Sequence, residues 1–143
     1  MKKRYVILGI IILLICTPFI LGTCSNLAYT AENSAKTMSY SAAINNGKPT
    51  VILFYANWCS YCRKFMPIFN SLSAKNSDDF NFVKINIDSE RNKYIAKEYG
   101  ISSLPTVYIV EKKYKIKKEV SPYSYGNVKS MQSELDYYLN HRR

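Results

Sequence analysis

The chain has 143 residues, the length of one ordinary domain, and its 48% hydrophobic content excludes a disordered protein. The formal net charge is +10, which suits anionic partners in general. However, the basic residues are scattered, apart from three at positions 2–4 and a lysine cluster at residues 112–118. We therefore expect no nucleic-acid partner.

Residues 1–22 have the character of a targeting or anchoring segment. The basic start is followed by an apolar run over residues 5–15, interrupted only by Gly9, and residues 18–22 extend it. This pattern is typical of a secretory signal peptide, and it is also just long enough for a membrane anchor. Because basic flanks stay in the cytoplasm, we expect a membrane-associated protein whose remaining chain is extracytoplasmic.

The fate of this segment is left open by the sequence. The segment is retained as an N-terminal anchor, cleaved to give a free secreted protein, or cleaved and lipidated at Cys24. Lipidation is suggested by the Leu-Gly-Thr-Cys sequence at residues 21–24, which resembles a bacterial lipoprotein cleavage box. Residues 23–34 are polar enough to be a linker, and residues 35–143 are predicted to form a single domain.

Within the predicted domain, strands alternate with helices. Helices are expected over residues 34–46, 60–76, 91–99 and 127–140. Strands are expected over residues 50–56, 80–87, 106–110 and 114–120. The lysines of the last strand are typical of a protected sheet edge. Two βαβ-like units followed by a hairpin predict an α/β fold with a mixed central sheet flanked by helices.

Cys59 and Cys62 lie at the start of the second predicted helix, directly after the most apolar strand. A C-x-x-C in that setting is typical of a dithiol–disulfide redox pair. The two side chains are one helical turn apart, so their sulfurs can close a small ring or open to two thiols. A helix N-terminus favours negative charge, and we therefore expect the pKa of the Cys59 thiol to be lowered.

Two structural roles are alternatives to the redox role of the cysteine pair. A structural zinc site needs four ligands. The other candidates are Cys16 and Cys24, in or beside the predicted leader, and His141 near the end. No metal and no cofactor are therefore expected. A purely structural disulfide would close so short a loop that it would remove little entropy from the unfolded chain.

The Trp-Cys-Ser-Tyr-Cys motif at residues 58–62 resembles the active site of the thioredoxin superfamily, and the resemblance covers about residues 47–140. Pro67 matches the proline that kinks the active-site helix of that family. The segment 99–106 matches the one that holds the family's cis-proline, which would be Pro105 here. The resemblance implies a thioredoxin-like fold for the predicted domain.

The resemblance also implies roles for individual residues. Cys59 would be the nucleophile that attacks a client disulfide, and Cys62 would resolve the mixed disulfide that results. Substrate contacts would be made by Trp58, Ser60, Tyr61, Leu104 and Pro105.

Four residues depart from or qualify the family pattern. Leu53 stands where thioredoxins usually have a buried aspartate that assists proton transfer to the inner cysteine. Lys84 matches the lysine beside that acid, and we expect it to be a solvated strand lysine. Ser121 and Pro122 stand where a glycine is usual, so the edge of the substrate groove is expected to differ.

Together these features predict an extracytoplasmic thiol–disulfide oxidoreductase that reduces protein disulfides. Disulfides persist outside the cytoplasm, so a reductase there would need a membrane electron donor. Two alternatives remain. One is a thiol oxidase or isomerase of the same fold, and the other is a non-catalytic binding or chaperone module.

Overall fold

The structure, a computed structural model, describes residues 38–142. The predicted leader and linker lie outside these residues. Four helices are present in the described region: α1 (Tyr40–Asn45), α2 (Ser60–Lys75), α3 (Lys93–Tyr99) and α4 (Val128–His141). Four strands accompany them: β1 (Thr50–Tyr55), β2 (Asn81–Asn86), β3 (Thr106–Glu111) and β4 (Ile116–Glu119). Over the same stretch, no helix combines the length and the apolar character needed to cross a bilayer.

The four strands form one mixed sheet in the order β2-β1-β3-β4. β1 is parallel to β2 and antiparallel to β3, and β3 is antiparallel to β4. β1 is buried along nearly its whole length, because helices cover both faces of the sheet. The predicted α/β class with a mixed sheet flanked by helices is confirmed.

Alternate residues of β1 enter two separate cores, as the period of a strand requires. Val51 and Leu53 belong to the core that α2 and α4 cover. Ile52 and Phe54 belong to the core under α1 and α3. Burying side chains of this size stabilises the fold by about 1.5–3 kcal/mol each.

Helix ends follow the local sequence signals. The Asn127 side chain accepts a hydrogen bond from the Ser130 backbone N–H at 2.9 Å, so the predicted cap of α4 is confirmed. Gly100 ends α3 with a left-handed φ of 64°, which a residue without a Cβ adopts at little cost.

Three element starts differ from the prediction by two residues or more. α1 begins at Tyr40 rather than at residue 34, since residues 38 and 39 precede the helix. Residues Glu90–Asn92 form a separate 3₁₀ turn, so the α-helix begins only at Lys93. β4 begins at Ile116 rather than at residue 114, because Tyr114 and Lys115 form the hairpin turn, where Lys115 has a φ of 54°.

A buried carboxylate lies between the end of β3 and the last turn of α4. Glu111 is buried and accepts a hydrogen bond from the Tyr138 hydroxyl at 2.7 Å. Arg142 Nη1 lies 3.8 Å from the same carboxylate. These contacts compensate the desolvation of the carboxylate and attach α4 to the sheet.

Candidate active site

The cysteine pair lies where β1 leads into α2. Cys59 is the N-cap of α2, and the Cys62 backbone N–H donates to Cys59 Sγ at 3.1 Å. Cys59 N–H donates in turn to the Ala56 carbonyl at 3.2 Å, which fixes the loop between strand and helix. The two sulfurs are joined in a disulfide, with the Cα atoms 5.2 Å apart. The spacing of the motif thus places both sulfurs at the helix start, as predicted.

Both cysteines are shielded from solvent in this disulfide state. Cys59 is 6% exposed and Cys62 is 1% exposed. Ile87 and Leu104 pack against the pair from neighbouring loops. Cys59 is thus the more exposed of the two, by a small margin.

Two large aromatic side chains flank the disulfide on the surface. Trp58 is 68% exposed and Tyr61 is 71% exposed. The Trp58 indole Nε1–H donates to Asp88 Oδ1 at 3.1 Å, and Asp88 follows the end of β2. The indole ring is therefore held at the surface instead of covering the helix start as a buried aromatic.

A groove of about 350 Å³ runs beside the disulfide. It brings together four of the predicted contact residues: Trp58, Ser60, Tyr61 and Leu104. The Leu104–Pro105 peptide bond is cis, which confirms the conformation that the resemblance implied. Pro105 itself is half-buried and is not among the residues that line the groove.

Sequence reasoning missed part of this groove. The remaining wall is formed by Ile87, Ile101, Ser102 and Ser103. Ile87 follows β2, whereas the other three precede the cis peptide. Small and apolar residues directly before Pro105 were the available signal, but only the fold shows that this segment lies opposite the α2 start.

Leu53 and Lys84 are neighbours on the central strands. Leu53 is fully buried, and its Cα partner in the β1–β2 register is Lys84. Lys84 is half-buried, and burial lowers the pKa of its amine below the usual value. None of the three ion pairs formed within residues 38–142 involves Lys84. The expectation of a solvated lysine is corrected accordingly, because the Lys84 side chain is only partly accessible to solvent.

Tyr125 is a further residue that the sequence did not single out. Its ring lies 4.8 Å from that of Phe65 in the active-site helix. Its hydroxyl accepts from the Val107 N–H at 2.8 Å and donates to the Val120 carbonyl at 3.1 Å. Burial raises the pKa of Tyr125 to about 12, so the hydroxyl stays protonated near neutral pH. It belongs to the 3₁₀ turn Pro122–Gly126, which follows Ser121 at the position of the family's usual glycine.

The fold and the cysteine pair define a thiol–disulfide oxidoreductase domain. The family model described as Thioredoxin matches residues 22–133, which is more than half of the chain. The chain therefore belongs to the thioredoxin family.

Curated relatives support the same assignment. The chain is 36% identical over 72 residues to the chloroplastic thioredoxin-like protein HCF164 of Arabidopsis thaliana, covering 50% of this chain and 28% of that protein. It is 40% identical over 63 residues to the thioredoxin of Borreliella burgdorferi, covering 44% of this chain and 52% of that one. The matched segment thus spans about half or less of these relatives.

Solved structures share the fold over a longer stretch. Thioredoxin from Malassezia sympodialis superposes with a TM-score of 0.57 at 26% identity, covering 69% of this chain and 84% of that chain. The J-Trx1 fragment of ERdj5 superposes with a TM-score of 0.63 at 17% identity, covering 73% of this chain and 50% of that chain. The second likeness concerns the fold alone.

Proposed function

We propose that this protein is an extracytoplasmic, membrane-associated reductase of protein disulfides, with Cys59 as nucleophile and Cys62 as resolving cysteine. The observation that supports it best is the position of Cys59, which is the N-cap of α2 and also lines the groove beside the disulfide. The helix N-terminus stabilises a thiolate there. A client segment lying in the groove would meet this sulfur first.

The reaction starts from the dithiol form of the protein. The Cys59 thiolate attacks one sulfur of a client disulfide, and the other client sulfur leaves as a thiolate that takes up a proton. Cys62, after losing its proton, then attacks Cys59 Sγ and releases the second client sulfur. Two electrons pass to the client, and the protein ends in the disulfide form, which is the form of this structure.

Positioning of the client falls to the exposed residues around the groove. Trp58 and Tyr61 offer large apolar surfaces on either side of Cys59. Leu104 lies on the opposite boundary, directly before Pro105, and an extended client segment would run past the disulfide there. Apolar contacts of this kind favour unfolded or loosely folded clients over compact ones.

The reducing direction follows from the compartment proposed. Outside the cytoplasm, disulfides are the stable form of paired cysteines, and a dedicated reductase is needed to reopen them. Each turnover consumes one dithiol, so the protein requires a membrane-bound donor that passes electrons across from the cytoplasm. The basic and apolar start of the chain is compatible with a retained anchor, with lipidation at Cys24 and with a secreted form.

Two experiments test the proposal. Full-length protein in detergent should reduce insulin with dithiothreitol as donor, and Cys59→Ser should abolish this, whereas Ser73→Ala, a buried serine of the same helix, should not. Alkylation trapping in cells should find the Cys59–Cys62 pair mostly as dithiol. A mostly oxidised pair would contradict the reducing direction and favour an oxidase.

A further inference from the structure

A second groove lies at the end of the sheet opposite to the cysteines. It has a volume of about 280 Å³ and is formed by α1, the end of β3 and the β3–β4 turn. Val110, which lines it, pairs with Thr50 at the start of β1, whereas Cys59 follows the end of that strand. A strand of six residues is about 20 Å long, so roughly this distance separates the two sites.

Four lysines line this second groove: Lys48, Lys112, Lys115 and Lys117. The hydrogen-bond partners found for three of them are neutral oxygens: Ser77 O for Lys48, Asn45 Oδ1 for Lys112 and Glu98 O for Lys117. The ion pairs within the described part of the chain involve other basic residues. Four positive charges therefore meet at this groove without a carboxylate partner among residues 38–142.

The acidic residue that lines the groove does not offset these charges. Glu111 is buried, and its carboxylate accepts the Tyr138 hydroxyl hydrogen bond and lies near Arg142. Its charge is thus directed away from the lysines and into the contact with α4. The rim of the groove keeps a strong preference for an anion.

The walls of the groove are apolar and aromatic. Tyr40 and Tyr99 lie edge to face with their hydroxyls 3.3 Å apart, and Ile44 adds an aliphatic side. Lys117 Nζ sits 4.1 Å above the Tyr99 ring. Burial raises the pKa of both tyrosines, so they add no negative charge near neutral pH. A ligand that fits must combine an anionic group with an apolar part.

The chain enters the described domain at this groove. Tyr40 and Ile44 belong to α1, the first described helix after the predicted leader at residues 1–22. From residue 22 to residue 40 the chain can span at most about 60 Å. A leader held in a bilayer would therefore keep the lysine groove within reach of lipid headgroups. Tyr114, half-exposed at the tip of the hairpin, is a residue type enriched at such interfaces.

We propose that this lysine groove binds the phosphate headgroups of an anionic phospholipid surface and thereby turns the cysteine pair away from the bilayer toward its clients. The proposal rests on the membrane association proposed above, but not on the direction of electron transfer. Lysines contact the phosphates, while the tyrosine and isoleucine walls accept the glycerol and upper acyl region. The domain would then be docked on the surface instead of moving freely at the end of its linker.

The test is lysine footprinting of the full chain in vesicles. Protein is reconstituted in phosphatidylcholine alone or in phosphatidylcholine mixed with phosphatidylglycerol, and acetylation rates are read by mass spectrometry. Acetylation rates at Lys48, Lys112, Lys115 and Lys117 should fall about fivefold in the anionic vesicles. Lys64 and Lys129, near the active-site end, should be unchanged. High salt should remove the protection, because it screens the headgroups.

Matched variants and a soluble ligand complete the test. In the triple variant Lys112→Gln/Lys115→Gln/Lys117→Gln, Lys48 should lose its lipid-dependent protection, whereas Lys129→Gln should leave it intact. Equal acetylation in the two lipids would overturn the proposal. Equal protection by soluble glycerol phosphate in phosphatidylcholine vesicles would also overturn it, by assigning the groove to small phosphate esters. Insulin reduction by the same vesicles reports on the redox proposal separately.

Discussion

Leu53 on β1 is the direct strand neighbour of Lys84 on β2, and an uncharged core side chain thus lies beside a half-buried amine. In the thioredoxin pattern, an aspartate stands at the position of Leu53. Leu53 therefore offers no carboxylate to pair with the Lys84 amine and no acid to accept the proton of Cys62. This relationship separates the present site from a typical reductase and leads to two predictions.

Replacing Leu53 with Asp should accelerate client reduction despite a loss of stability. The carboxylate would lie beside Lys84 and could accept the proton of Cys62, as its family counterpart does. The matched control is Leu53→Asn, which has nearly the same shape but does not ionise. We expect the Asp variant to reduce insulin about tenfold or more faster than the Asn variant at neutral pH.

Both variants should unfold more easily than the original chain, by about 2–5 kcal/mol, because a fully buried leucine is lost. Urea denaturation at neutral pH measures this. Equal insulin reduction rates in the two variants would show that an acid at this position does not assist the second step.

Replacing Lys84 with Met should stabilise the fold near neutral pH. Burial lowers the pKa of the Lys84 amine, so the folded state disfavours the charged form that is present at pH 7. Since solvent screens the charge of a half-exposed side chain, the gain in the free energy of unfolding should be small, about 0.5 kcal/mol. At pH values below the pKa of Lys84 in the folded state, the cost of burying the charged amine is fully present. This cost is relieved as the pH rises through that pKa toward 10.5, the usual pKa of a lysine.

The advantage of Lys84→Met should therefore shrink as the pH approaches 10. Denaturation curves near pH 7 and near pH 10 measure this dependence. The control is Lys129→Met, on the exposed face of α4. A variant less stable than the original chain near neutral pH would mean that the amine has a stabilising partner.

Removing the Asp88 carboxylate should impair client reduction without unfolding the domain. In Asp88→Ala the Trp58 indole loses the hydrogen bond that holds it beside the groove. We expect the insulin reduction rate to fall by about threefold to tenfold, since positioning of the client contact is lost. Trp58 is the single tryptophan of the chain, so its fluorescence reports the change directly. Asp79→Ala, in the exposed turn before β2, should leave both the rate and the spectrum unchanged.

Tyr138→Phe should destabilise the domain by about 1–3 kcal/mol, because the buried Glu111 carboxylate loses its hydroxyl donor. Its sequence neighbour Tyr137 is exposed, and Tyr137→Phe should change stability by less than about 0.5 kcal/mol. Urea denaturation of the pair makes the comparison. If both variants were equally stable, the Arg142 contact alone would be sufficient to compensate the carboxylate.

Sequence patterns predicted the elements around the cysteines because local signals define them. The apolar run of β1 and the periodic Phe65, Phe69 and Leu72 of α2 are visible without any tertiary information. The 3₁₀ turn at Glu90–Asn92 lacks such a signal, since its residues favour a helix equally well.

The candidate site was predictable only where the motif or the resemblance reached it. Cys59 and Cys62 follow from spacing, and the cis conformation of Pro105 came from the resemblance. Ile87 and Tyr125 were missed because loops far apart in sequence bring them to α2. The half-burial of Lys84 depends on packing against the sheet, which a strand pattern alone does not specify.

Mixed-disulfide trapping tests most directly whether Cys59 attacks and Cys62 resolves. Two full-length variants are compared, Cys62→Ser and Cys59→Ser, and both also carry Cys16→Ser and Cys24→Ser. Each is incubated with a disulfide-bonded client, and the products are separated on non-reducing gels. Cys62→Ser should accumulate the adduct, because a serine hydroxyl cannot displace the client from Cys59. Cys59→Ser should form little, because Cys62 is the more buried thiol. Equal adducts from both variants, or more from Cys59→Ser, would contradict the proposed roles.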